Sequence, residues 1–161
     1  MATIIKKNVK HLRQFGGAPY GNLSALPFKF KTNASGYFLD SDTPATAVAA
    51  ADVVRLGVLP AGMRLDDAIA IVSNTFSDTS TFDLGFAYVD GVDDDDVPQD
   101  ADYFFDAADY HDSVTVLRKT KGTAPVVLPK DAYLILTNNT AAQAEAGVVD
   151  FRIVGELQGP K

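Results

Sequence analysis

At 161 residues, with 47% hydrophobic and 22% charged residues, the chain suits one globular domain with a sizeable core. It has no cysteine, which excludes disulfides and thiolate metal sites. A net charge of −7 argues against wholesale wrapping by nucleic acid, and no apolar stretch is long enough to cross a bilayer.

The charge is split along the chain. Before Asp40 stand six basic residues, Lys6, Lys7, Lys10, Arg13, Lys29 and Lys31, and no acidic one. The rest holds 8 of the 14 basic residues and all 21 acidic ones. Residues 1–25 read as an extended basic N-terminal arm, and 26–161 as the body. Gly16, Gly17, Pro19 and Gly21 discourage a regular helix there. Phe15 and Tyr20 suit apolar pockets on a partner or on the body itself. Met1–Arg13 has charge but no apolar run behind it, so it does not read as a secretory signal.

From residue 26 the pattern takes period two. Leu26, Phe28, Phe30 and Thr32 alternate with Pro27, Lys29 and Lys31, which predicts a strand with one apolar and one basic face. Turn residues Asn33 to Gly36 follow. Thr43–Ala51 suits a short helix or a loop. Asp52–Val58 and Met63–Val72 read as strands buried on both faces. Between them, Leu59-Pro60-Ala61-Gly62 has the composition of a tight turn with a positive φ at the glycine. Phe82, Leu84, Phe86 and Tyr88 mark a half-buried strand. Ala101–His111 is ambiguous. Val114 and Val116 alternate with Thr115 although Leu117 blurs the pattern, Tyr133–Leu136 is an apolar run, and Val149, Phe151 and Ile153 mark a strand near the end. About eight strands separated by turn signals predict an antiparallel β-sandwich, jelly-roll-like in type.

Few constellations suggest chemistry. Asp90, Asp93, Asp94, Asp95, Asp96, Asp100 and Asp102 crowd one segment, which could hold calcium, receive the basic arm of a neighbouring subunit or simply be a solvated loop. His111 beside Asp112 could form a His–carboxylate pair, but two histidines cannot make a zinc site without further ligands. No nucleophile elbow, phosphate loop or dinucleotide fingerprint occurs. No cofactor is expected and the chain does not read as an enzyme. Phe82, Phe86 and Tyr88 could form a sugar platform, although one face of a strand is more simply the core face. Asn22, Asn33 and Asn138 each open an Asn-X-Ser/Thr triplet that reads as chance.

The stretch Val53-Val54-Arg55-Leu56-Gly57-Val58-Leu59-Pro60-Ala61-Gly62, then Phe82–Asp90, Asp131–Thr137 and Ala146–Phe151, resembles the decoration or cement proteins of tailed-bacteriophage capsids. The resemblance is one of strand and turn rhythm over residues 52–157. It implies a β-sandwich or jelly roll in the virion, on the capsid exterior, that binds the major capsid protein and staples its neighbouring subunits. It implies a homo-oligomer or symmetric multi-copy assembly, with neither nucleic acid nor membrane as partner. The arm lies outside the matched pattern. Its chemistry makes Lys6, Lys7, Lys10, Arg13, Phe15 and Tyr20 the expected capsid or subunit interface: cations face acidic patches and aromatics fill notches. The alternative expectation is a glycan- or calcium-binding β-sandwich module displayed on a virion.

Overall fold

The structure is a computed structural model that describes residues 2–6, 23–42, 46–111 and 114–158. Ten strands are present among these residues and no helix. They are β1 (Thr3–Ile5), β2 (Leu23–Lys31), β3 (Val53–Leu59), β4 (Met63–Asn74) and β5 (Thr81–Tyr88), followed by β6 (Asp100–Asp109), β7 (Thr115–Arg118), β8 (Val126–Val127), β9 (Ala132–Asn138) and β10 (Val148–Leu157). They form two sheets, one in the order β1-β3-β9-β5-β6 and the other β2-β10-β4-β7, with β8 also on β4. The fold is an all-β sandwich. All the strand pairs are antiparallel except β1 with β3, where Thr3, Ile4 and Ile5 lie opposite Val53, Val54 and Arg55.

Alternation explains the core. Leu26, Phe28 and Phe30 of β2, Phe82, Leu84 and Phe86 of β5, and Val149, Phe151 and Ile153 of β10 all point inward and are buried. The aromatic centre is continuous: Phe30 stacks on Phe76 at 5.3 Å, and Phe76 lies 4.3 Å from Tyr110. Phe82 meets Tyr110, Phe105 and Phe151 at 4.9, 5.4 and 5.6 Å. Such offset and edge contacts add to the area term in holding the two sheets together.

Two expectations change. In β4 the alternation is half-buried rather than buried on both faces, so Ile69 and Ile71 stand part-exposed on the outer side. In β7 the expected apolar face is inverted: Val114 and Val116 are 68% and 62% exposed, and Leu117 is the residue that packs against the core. Of the alanine-rich segment, residues 46–51 form bends and a turn, so of the helix and the loop it is the loop that is found there. The ambiguous segment becomes β6, an edge strand in which Tyr103, Phe104 and Phe105 are all buried. Two register shifts against β5 break its period, and the Thr120 N–H donates to the Phe104 carbonyl from the second sheet's side at 3.1 Å. An edge that turns between two sheets can bury consecutive side chains.

The turn after β3 forms as its composition predicts. Gly62 has φ 76°, Met63 N–H donates to Pro60 carbonyl, and Ala61 N–H donates to the Asp131 carboxylate at 2.8 Å.

Candidate functional site

Within the stretch read as an arm, residues 2–6 lie on the first sheet and Leu23–Ala25 open β2. Ile4 is buried in the core, and the Lys6 N–H donates to the Arg55 carbonyl at 3.2 Å. Lys6 is thus placed at the β1 edge beside Ser41, its antiparallel bridge partner. Lys7, Lys10, Arg13, Phe15 and Tyr20 lie outside the described residues, as do Asn22 and Asp112.

The acidic segment caps one end of the sandwich. This end gathers the β3–β4 turn, the β5–β6 loop, the β8–β9 connection and the start of β2, where Leu23 lies opposite Glu156. The loop folds on its own carboxylates. Asp93 accepts from the Asp94 and Gln99 N–H groups at 2.9 and 2.7 Å, and Asp94 accepts from Asp96 and Val97 at 3.1 and 3.0 Å. Asp90 accepts from Val92 N–H and from the Lys130 ammonium at 3.0 and 2.9 Å. Much of the repulsion that five neighbouring aspartates create is therefore met by backbone donors and one lysine. The Gln99 N–H holds the Asp93 carboxyl below the usual carboxylate range, and the Lys130 ammonium does the same for Asp90. Tyr88, beneath the loop, is pushed up to about 12 by burial and then by the charges of Asp94, Asp93 and Asp90. Among the described residues no cluster of three or more metal-ligating side chains has the geometry to hold an ion.

Beside the loop opens an apolar groove of about 390 Å³, between β6 in one sheet and the approach to β8 in the other. Phe86, Val97, Pro98, Tyr103 and Val126 line it, with Asp96 and Asp100 at its rim. The Tyr103 hydroxyl lies 2.8 Å from the Ala124 carbonyl and 3.1 Å from that of Leu65, so it ties the sheets together under the groove. Lys121 bridges Asp100 and Asp102, 3.3 Å from both Asp100 oxygens. Burial, and then a hydrogen bond with Asp102, raises the Asp100 carboxyl above its ordinary range. The bonds to Asp100 and Lys121 hold Asp102 below it. Three large apolar side chains at this same end face solvent: Leu23, Val89 and Val92. Sequence reasoning missed the groove and these residues. The available signal was the valines set among the aspartates at 89, 92 and 97.

At the opposite end lies a buried polar network. Asn138 accepts from the Tyr110 hydroxyl at 2.9 Å and from the Gln143 amide at 2.8 Å, and it donates to the carbonyls of Ala49 and Ala141. Asn138 is fully buried, which removes it as a glycan acceptor, and Asn33 caps a turn by accepting from Ser35 and Tyr37 N–H. His111 does meet a carboxylate, but that of Asp109 at 2.8 Å, and its Nδ1 also lies 2.9 Å from the Ser80 carbonyl. Both neighbours accept, so Nδ1 carries the proton. Phe82, Phe86 and Tyr88 are core residues, at most 2% exposed, and offer no platform to a sugar.

No protein-family model matches the chain, and no curated protein sequence matches it. Among solved structures, the chain shares its fold with a chain of the capsid of Ralstonia phage GP4. The TM-score is 0.62 and the identity 18%, over 99% of this chain and 100% of that one. A chain of the Cyanophage Pam1 capsid asymmetric unit aligns with TM-score 0.53 and 14% identity, over 93% of this chain and 98% of that one. The likeness spans nearly all of this chain and of each of those two, so the three share one fold.

Proposed function

We propose that this chain is a non-enzymatic structural protein of a bacteriophage virion. It binds the outer surface of the capsid and cements neighbouring major capsid protein subunits, with its basic N-terminal segment as the reaching contact. The observation that carries the reading is the end-to-end likeness of fold to a chain of a phage capsid. The physical character of the molecule supports it. A cement protein needs a stable body and a contact that gains area on docking, at the cost of ordering that contact. The body is a tightly packed sandwich in which Asp90, Asp93 and Asp94 are engaged in holding the acidic loop. The capsid or subunit interface consists of Lys6, Lys7, Lys10, Arg13, Phe15 and Tyr20, with the cations on acidic patches and the aromatics in apolar notches.

Co-sedimentation with shells lacking this protein tests the reading. Deleting residues 1–25 would also remove β1 and the buried Ile4, so substitution is the sounder perturbation. The parent chain is expected to saturate shells. A chain with Lys7, Lys10 and Arg13 changed to Glu and Phe15 and Tyr20 changed to Ala is expected to bind at least about tenfold more weakly, a loss of about 1.4 kcal/mol or more. A parent that stays in the supernatant overturns the capsid reading. A parent and variant that bind alike overturn only the role of the N-terminal segment.

A further inference from the structure

The apolar groove and the strands that flank the basic segment lie at opposite edges of the sheets. The groove opens where β6 ends one sheet and β8 flanks the other. The segment of residues 7–22 is rooted at β1 and β2, the other edges of those sheets. Along the second sheet a single row runs Leu23, Glu156, Arg64, Val127, from the segment's root to the groove side. Three strand spacings separate its ends, about 14 Å.

The two surfaces are complementary in chemistry. Residues 7–22 carry Lys7, Lys10 and Arg13 with Phe15 and Tyr20, and no acidic residue. The groove is apolar inside and carboxylate at the rim, and Leu23, Val89 and Val92 extend the exposed apolar surface around this end. Asp95 and Asp96 are exposed, and neither carboxylate accepts a hydrogen bond from the described residues, whereas Asp93 and Asp94 hold the loop. A groove at one edge, and a complementary segment whose flanking strands form the other edge, suit a head-to-tail contact between copies. Such contacts close into rings when the rotation permits.

We infer that the groove is the receiving site for residues 7–22 of a second copy of this chain. An aromatic side chain of the segment seats among Phe86, Val97 and Tyr103, and its lysines and arginine meet Asp95 and Asp96. The segment then links copy to copy, and many linked copies hold a surface more firmly than separate ones. This inference deepens the proposed role of the N-terminal segment by naming its partner, and it is tested without shells, so its failure is separate from failure of capsid binding.

The test uses the full chain and two charge-reversed variants in sedimentation velocity. The first carries Lys7→Glu, Lys10→Glu and Arg13→Glu, and the second carries Asp95→Lys and Asp96→Lys. The parent is expected to form a discrete assembly larger than a monomer. Each variant alone sets like charges against each other and is expected to need at least about tenfold more protein to assemble. In an equimolar mixture each reversed segment finds a reversed rim, and each native segment a native rim, so assembly returns. Circular dichroism and melting identical to the parent exclude misfolding of either variant. A monomeric parent, a variant that assembles like the parent, or a mixture of folded variants that stays dissociated each overturns the inference. The last of these is what docking of the segment on its own subunit would give.

Discussion

Replacing Asn138 by Leu is expected to cost about twice as much as removing the hydroxyl of its neighbour Tyr110, although both side chains belong to one buried network. Asn138 uses its full capacity: its oxygen accepts from Tyr110 and Gln143, and its nitrogen donates to the carbonyls of Ala49 and Ala141. Leucine has similar bulk and makes none of these bonds. The carbonyls of Ala49 and Ala141 lose a donor, and the Tyr110 hydroxyl loses its acceptor. Four bonds at about 1 kcal/mol each give about 4 kcal/mol, a large share of the roughly 5–15 kcal/mol that stabilises a typical domain. In Tyr110→Phe the ring stays packed on Phe76 and Phe82 and Asn138 keeps the Gln143 amide, but Gln143, which also donates to the Tyr110 hydroxyl at 2.9 Å, loses that acceptor. Two bonds are lost, and the cost is about 2 kcal/mol. Urea unfolding of the parent and both variants checks this, with an unchanged slope confirming that the unfolded ensemble is the same. If the two substitutions cost the same, or Tyr110→Phe costs more, the network does not act as its geometry implies.

Two further outcomes follow from the packing and the charges. A methyl group at Gly147 would stand 2.3 Å from the Phe76 ring, which is held between Phe30 and Tyr110. Gly147→Ala is therefore expected to cost about 2 kcal/mol by overpacking and to lower Tm by about 4–8 °C in calorimetry; an unchanged Tm would show that the ring can retreat. The Asp100–Asp102 pair is expected to titrate in two steps that straddle the ordinary carboxylate value, read by carboxyl-carbon NMR. The depressed Asp102 stabilises the fold above that value and loses its contribution as pH falls through its folded pKa. The raised Asp100 favours the fold when protonated and loses its contribution as pH rises through its own. Lys121→Met should move both steps upward, and steps that stay in place would show that the lysine does not set them.

The sequence by itself determined the fold class and much of the core. Leu26, Phe28 and Phe30, and again Phe82, Leu84 and Phe86, alternate cleanly because a strand with one face in water and one in the core must do so. Gly62 marked its turn for an equally local reason, since a positive φ suits glycine. The acidic loop was legible as a loop, but its hydrogen bonds to its own backbone were not.

Tertiary structure decided the rest, because the deciding partners are distant in sequence. Val114 and Val116 have the pattern of a buried face, yet β7 meets the sandwich through Leu117, a choice made by its pairing with β4. Three adjacent aromatics at 103–105 fit no period, and they became core only because β6 runs along an edge between the sheets. β1 is three residues long and exists through its parallel partner β3, fifty residues away. The groove needs Phe86, Val97, Tyr103 and Val126 at one corner. Side-chain pattern reports which face of a strand avoids water. It carries no information about which strands become neighbours, and surfaces that recognise a partner are made by neighbours.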